Sequence, residues 1–334
     1  MAELLLFLTI AVAVAFDFTN GFHDTANAIA TSVSTRALSP RQAVVVSAVF
    51  NLIGALVTVN LLHSKVSNTI ASTIALKVTL ILIMAALLGA ITWNLVTWYL
   101  GLPSSSTHAV IGGLVGAAIA DSGGFGGVKW ATFWKQITSL VISPPIGFVA
   151  AAIVMVVLLL LVYRARPAPA NRVFRWLQVV AAAFVSFSHG GNDAQKTMAA
   201  MAMALVATGH LQKFSVPDWV VFLSAATLGV GTYAGGWRII RTLGWRVYKL
   251  DPATGLAAQL TAATTIQLAS AVALPVSTTH VVTGSVMGAG AARKLSALAW
   301  GVGANIVTAW IVTIPAAAAV AWVMYAILHT ARLG

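Results

Sequence analysis

The sequence predicts an all-α polytopic membrane protein made of two inverted-topology repeats, with broken helices and paired Ser/Thr-rich hairpins. Three observations predict it. Long apolar runs recur from end to end of the 334-residue chain, and about 20 apolar residues in a helix cross the ~30 Å hydrocarbon core of a bilayer. Charged residues make up 8% of the chain against 59% hydrophobic, where a soluble domain carries about 25% charged. Polar motifs of the first half also return in the second at nearly constant spacing, which chance similarity of apolar sequence would not preserve.

The first apolar segment runs from about residue 4 to about residue 30 and is interrupted between Asp17 and Asn27. Polar residues at that depth predict a discontinuous helix whose freed backbone groups face a cavity. No basic stretch precedes the apolar run, so a retained first helix is expected and not a cleaved signal. Further segments cover roughly 42–62, 73–100 and 103–120. After a Gly-rich loop at Asp121–Gly127, a long span ends near Tyr163.

Arg164, Arg166, Arg172 and Arg175 flank a Pro-Ala stretch that marks the seam. The first repeat is expected over 1–165, the second over 171–334, with a short connection at 166–170. Segments of the second half lie near 176–206, 218–236, 256–273, 275–290 and 298–326. With ten segments and the N-terminus outside, the loops holding Arg36, Arg164, Arg238 and Arg293 fall inside, as the positive-inside rule requires. Lys129, Lys135 and Lys213 fall outside, a minority. Five segments per half, an odd number, turn the second repeat upside down. The stretches 103–120 and 275–290 fit either short spans or re-entrant hairpins.

The net charge of +12 sits mainly in these connections, which argues for a lipid bilayer as the partner and against nucleic acid. The absence of cysteine excludes disulfides and thiolate metal sites.

The duplication rests on three pairs. Asn20-Gly21-Phe22-His23-Asp24-Thr25-Ala26-Asn27 returns as Ser188-His189-Gly190-Gly191-Asn192-Asp193-Ala194-Gln195-Lys196. Leu102-Pro103-Ser104-Ser105-Ser106-Thr107-His108 returns as Leu274-Pro275-Val276-Ser277-Thr278-Thr279-His280, and Pro144 returns as Pro315. From Asp24 to Asp193, Pro103 to Pro275 and Pro144 to Pro315 the offsets are 169, 172 and 171 residues.

Each motif has a chemistry and a bland alternative. Pro and Ser/Thr open helices, and a helix N-terminus with unpaired N–H groups is an anion site. Two such starts bearing Ser105, Ser106, Thr107, Ser277, Thr278 and Thr279 offer up to six hydroxyls to a tetrahedral oxyanion. The alternative is that the hydroxyls bond their own helices or glue neighbours. Asp24 with Asn27, and Asn192 and Asp193 with Gln195, supply oxygens that suit a hard cation, or else a buried network that only joins two helices. Lys196 stands where the first half has Asn27, as a fixed cation, a contact for the oxyanion or a snorkelling side chain. His23, His108, His189 and His280 can ligate a metal or relay protons, or merely bond neighbouring carbonyls. Asp17 has no acidic counterpart in the second half and stays unassigned.

At these residues the chain resembles the PiT family of inorganic phosphate transporters, of the bacterial low-affinity permease type. The two acidic motifs and the two Pro-Ser/Thr-His runs carry the resemblance, which spans nearly the whole chain. It implies a symporter of inverted repeats, commonly a homodimer, that moves inorganic phosphate with H⁺ or Na⁺ as coupling cation. The Gln195-Lys196 pair resembles the proton-coupled branch, which also moves metal–phosphate complexes. Two departures stand out: His23 where many members have Asn, and Lys196 where sodium-coupled members tend to have Asn. A sulfate permease on the same scaffold is the main alternative. A divalent-metal transporter and an intramembrane Ser–His hydrolase are remoter ones, and the hydrolase would need one nucleophile beside one base, not two matching Ser/Thr runs.

Overall fold

The computed structural model describes residues 2–331. Among them are twelve α-helices, and extended pairing is limited to one isolated bridge between Ile74 and Val128. The first half holds α1 (Ala2–Ser34), α2 (Pro40–Asn60), the short α3 (Val66–Ala71), α4 (Leu80–Leu100), α5 (Ser106–Ser122) and α6 (Trp130–Val162). The second half repeats the order: α7 (Pro167–Ala207), α8 (Asp218–Ala234), the short α9 (Trp237–Arg241), α10 (Pro252–Ala271), α11 (Thr278–Lys294) and α12 (Trp300–Thr330).

Local chemistry sets many of the boundaries. Ser39 and Gln42 form a capping box around Pro40, and Asp251 caps α10 ahead of Pro252. In both, Pro fills the first helical position, where its missing N–H costs nothing. Gly101 and Gly123 end α4 and α5 in left-handed conformation. Pro167 opens α7 in the same way as Pro40 and Pro252. The connection expected at 166–170 is therefore corrected to 163–166, since residues 167–170 already belong to a helix.

The packing of one half is mirrored by the other. α5 lies on α12 and α11 on α6; α2 lies on α7 and α8 on α1. Small residues let these backbones approach, as in other membrane bundles. A Cβ at Gly116 would sit 2.0 Å from the Ala318 carbonyl, and one at Gly288 2.0 Å from the Phe148 carbonyl. Buried apolar side chains form two clusters. On α1 one cluster reaches Phe16 and the other starts at Ala26; on α7 the second ends at Val185 and the first resumes at Ala194. Both acidic motifs thus lie in the gap between the clusters, and the two helices meet them in opposite order.

Two expectations are corrected. α1 runs unbroken through Asp17–Asn27, and α7 runs unbroken through Ser188–Lys196. The polar side chains there bond to each other across helices, so the backbone keeps its own ladder. The bend appears elsewhere, 61° between α8 and α9, where Gly235 takes a positive φ of 76°. Ten spans also do not emerge from length and apolarity alone: α1, α2, α4, α6 and α12 qualify, with α8–α9 as a bent sixth. α5 and α11 are about 25 Å long at 1.5 Å per residue, short of the hydrocarbon core. They are nearly wholly buried, so protein and not lipid surrounds them, and their polar starts are tolerated. Side chains that do face outward, such as Phe7, Val149, Leu160 and Ile311, are apolar, as a lipid-facing surface requires.

Candidate functional site

Two acidic helices and two helix starts build the site. Ser105 caps α5 by accepting from the His108 N–H, and Ser277 caps α11 by accepting from the His280 N–H, each at 3.2 Å. These caps take the third N–H of each helix. The preceding N–H groups have no intrahelical acceptor and carry the positive end of the helix dipole.

All twelve site residues named from the sequence are at most 2% exposed, so every charge among them needs a partner. Nine of them join one network. The Ser106 hydroxyl donates to Asp24 Oδ2 at 2.5 Å and accepts from Lys196 Nζ at 2.6 Å. Lys196 Nζ also donates to Asp193 Oδ2 at 2.7 Å and to Thr107 Oγ1 at 3.5 Å, which engages all three ammonium protons. Asn27 Nδ2 donates to Thr279 Oγ1 at 2.8 Å and Thr278 Oγ1 at 3.5 Å, and Thr279 donates to Asp24 Oδ1 at 3.4 Å. Asn192 Nδ2 donates to Asp193 Oδ1 at 3.0 Å and to the Val276 carbonyl at 3.2 Å. Thr107 donates to that carbonyl at 3.1 Å. The first-half amide therefore meets the second-half hydroxyls, while the second-half lysine meets the first-half ones.

The other three residues serve different places. Ser105 and Ser277 cap helices. Gln195 turns to the loop and start of α3, accepting from Ser67 N–H at 3.2 Å and donating to Ser64 Oγ at 3.0 Å.

Two carboxylates beside one ammonium leave one negative charge in excess when all three are ionised. Burying it is expensive without a counter-charge, so the niche calls for one more proton or cation. Oxygen ligands are at hand: Asn20 Oδ1 and Asn27 Oδ1 are buried without a hydrogen-bond partner among the described residues. Asp24, His189 and Asp193 each offer one atom, and the three lie within 4.8 Å of one another. Such a set can hold a divalent ion.

The four motif histidines divide into two pairs. His23 Nδ1 is 2.8 Å from Asp24 Oδ1 and its Nε2 3.1 Å from Thr97 Oγ1. His189 Nδ1 is 2.9 Å from Asn51 Oδ1 and its Nε2 3.3 Å from Asp193 Oδ2. His108 and His280 instead lie 4.5 Å apart with tilted rings, His280 stacks on Trp310 at 3.7 Å, and both histidines line a largely apolar cavity of about 1080 Å³ with Pro144, Phe148 and Met287. Asn20, Asn51 and Thr97 escaped the sequence reading as partners; Asn20 Nδ2 reaches Asp193 Oδ2 at 3.4 Å. An Asn in the middle of the apolar run of α2 was the available signal for Asn51.

The chain matches the phosphate transporter family (PHO4) over residues 20–321. A probable low-affinity inorganic phosphate transporter of Bacillus subtilis is 44% identical, with 98% of this chain and 99% of the relative aligned. One of Rhizobium meliloti is 48% identical over 95% of this chain and 94% of its own length. A solved structure described as the sodium-dependent phosphate transporter superposes with a TM-score of 0.89 at 26% identity, covering 98% of this chain and 99% of that one.

Proposed function

This chain belongs to the phosphate transporter family, and on that premise we propose that it is a symporter whose substrate and coupling cation share the niche between α1, α5, α7 and α11. It is a multi-pass membrane transporter of phosphate and not an enzyme. The observation that carries the proposal is the single Ser106 hydroxyl held between Asp24 and Lys196, 2.5 Å and 2.6 Å away. One oxygen thus links the acidic motif of each half to the start of α5.

In this reading the phosphate oxygens take the α5 and α11 N-termini, the hydroxyls of Ser106, Thr107, Thr278 and Thr279, and the Lys196 ammonium. Drawing Lys196 toward the anion exposes Asp193, which then needs a replacement cation. Asp24, Asn27, Asn192 and Asp193 supply the ligands for it. Anion and cation therefore favour each other's binding through charge alone, which is the basis of coupling. Ser105 and Ser277 shape the two N-termini, and Gln195 fixes α7 against α3.

We read α1–α6 and α7–α12 as two repeats of opposite orientation, joined at 163–166. Reciprocal packing and the reversed cluster order on α1 and α7 support this. Such a pair lets one arrangement open to either side of the membrane around a fixed site. A second copy of the chain as partner is tested by native mass measurement in detergent or lipid nanodiscs.

The coupling ion is proposed to be H⁺, because Lys196 fills the position that would complete a second Na⁺ niche. A metal–phosphate complex is the second reading, favoured by the Asp24, His189 and Asp193 cluster. Radiolabelled phosphate and sulfate uptake into proteoliposomes, under imposed H⁺ or Na⁺ gradients and with or without Mg²⁺, tests all of this. Sulfate preferred over phosphate, or no response to any cation gradient, would overturn it.

A further inference from the structure

The proposed site leaves one buried charge unused. Asp17 is fully buried at the middle of α1, seven residues before Asp24. Seven residues are nearly two helical turns, so both carboxylates occupy one face about 10 Å apart along the axis. Among the described residues no Lys, Arg or His lies within ion-pair distance of Asp17. Its Oδ1 has no hydrogen-bond partner. Its Oδ2 is 2.5 Å from Ser224 Oγ on α8.

Ser224 decides the protonation. The same hydroxyl is 3.0 Å from the Ala194 carbonyl on α7, and a serine has one proton to give. A carbonyl only accepts. With Ser224 donating to Ala194, the short contact to Asp17 needs a proton that comes from the carboxyl group. An ionised Asp17 would instead take the Ser224 proton, with the Thr197 hydroxyl of α7 as the other nearby donor, and stand in the protein interior with no ion-pair partner, an expensive state. As the carboxylic acid, Asp17 donates to Ser224 and Ser224 donates to Ala194, so both contacts of the Ser224 hydroxyl carry a proton.

We propose that Asp17 is a proton-carrying site of the transport cycle, coupled through Ser224 to the α7 backbone beside Asp193. This rests on the symport reading above. Releasing the proton to water leaves a carboxylate that accepts from Ser224, so the Ser224–Ala194 bond is exchanged for a Ser224–Asp17 bond and no hydroxyl proton is lost. The charged groups facing Asp17 are Lys196 and Asp193 from α7, with His23 and Asp24 further along α1. α8 presents Ser224 itself. When phosphate draws Lys196 away from Asp193, the field at Asp17 becomes more negative and holds its proton. When phosphate leaves, Lys196 returns and that hold weakens, so the proton passes on more readily. Phosphate occupancy thus favours proton occupancy.

Infrared spectra of the protein in proteoliposomes should contain a protonated-carboxyl C=O band that Asp17→Asn removes. The same variant should lower pH-gradient-driven phosphate accumulation about tenfold. Ser224→Ala, which deletes only the partner, should shift both the band and the pH of half-maximal uptake. The inference is overturned if the wild-type spectrum holds no such band, or if Asp17→Asn accumulates phosphate with the wild-type pH profile. Should Asp17→Asn fail to fold, an unmoved band and profile in Ser224→Ala would overturn it equally. Phosphate counterflow in the wild type, with no gradient imposed, tests the transport reading separately: its absence sinks that reading, while the band still decides the protonation of Asp17.

Discussion

Neighbouring serines at the start of α5 should behave differently, and the contrast tests the site. Ser106 bonds two charged groups, Asp24 and Lys196, whereas Ser105 bonds a backbone N–H as a cap. A hydrogen bond to a charged group contributes about 1.5–3 kcal/mol. At about 1.4 kcal/mol per tenfold, Ser106→Ala should weaken phosphate binding roughly ten- to a hundredfold. Ser105→Ala removes a cap, which costs about 1 kcal/mol of stability, and should change affinity less than about threefold, or about 0.6 kcal/mol. Ser277→Ala should resemble Ser105→Ala, because Ser277 caps α11 in the same way. Phosphate titration by calorimetry in detergent, with thermal unfolding of each variant alongside, separates the two effects. Equal losses of affinity in Ser105→Ala and Ser106→Ala, at unchanged stability, would refute the division between cap and ligand.

Asp24→Asn and Asp193→Asn should both abolish gradient-driven uptake, and either one still concentrating phosphate would make that carboxylate structural. Asp193→Asn should also be the less stable of the two on thermal unfolding, because it strands the buried Lys196 ammonium; losing one partner of a buried pair costs about 3–5 kcal/mol. Lys196→Asn restores the first-half pattern and should introduce or strengthen Na⁺ dependence, so unchanged ion dependence in gradient-driven uptake argues against the lysine as the determinant. Gly116→Ala and Gly288→Ala each force a Cβ to 2.0 Å from a facing carbonyl and should each cost about 1–3 kcal/mol by overpacking. Thermal unfolding should find the two alike, and a large difference would speak against equivalent packing in the two halves.

Much of the site was legible because buried polar groups are costly and so are informative wherever an apolar sequence carries them. Asp24, Asp193 and the two Ser/Thr runs stood out on that ground, and their nearly constant offsets pointed to a duplication. What the sequence misjudged were effects set by partners distant in the chain. A polar stretch such as Asp17–Asn27 predicts a break only if its side chains lack partners; here Ser224, Ser106 and Thr279 supply them, and α1 stays whole. Gln195 looks equivalent to its neighbours in one dimension, yet it turns to Ser64 and Ser67. The turn of a side chain around a helix is visible in the pattern, but what waits there is not.

The inequality between the halves is as instructive as their likeness. With Asn at both 27 and 196, two buried carboxylates would face two neutral amides, and the empty niche would want two cations. Lys196 supplies one of those charges permanently and ties it to Asp193 at 2.7 Å. One cation or proton then suffices to neutralise the resting niche. At an effective dielectric of about 20, unit charges about 4 Å apart interact by roughly 4 kcal/mol, so replacing a mobile cation with a fixed ammonium is large enough to change which ion is bound. A tethered cation cannot be transported, however. In the symport proposed above, it would lower the number of ions that each phosphate must bring with it and move the burden of coupling to groups whose charge can change, Asp24 and Asp17 on the same face of α1.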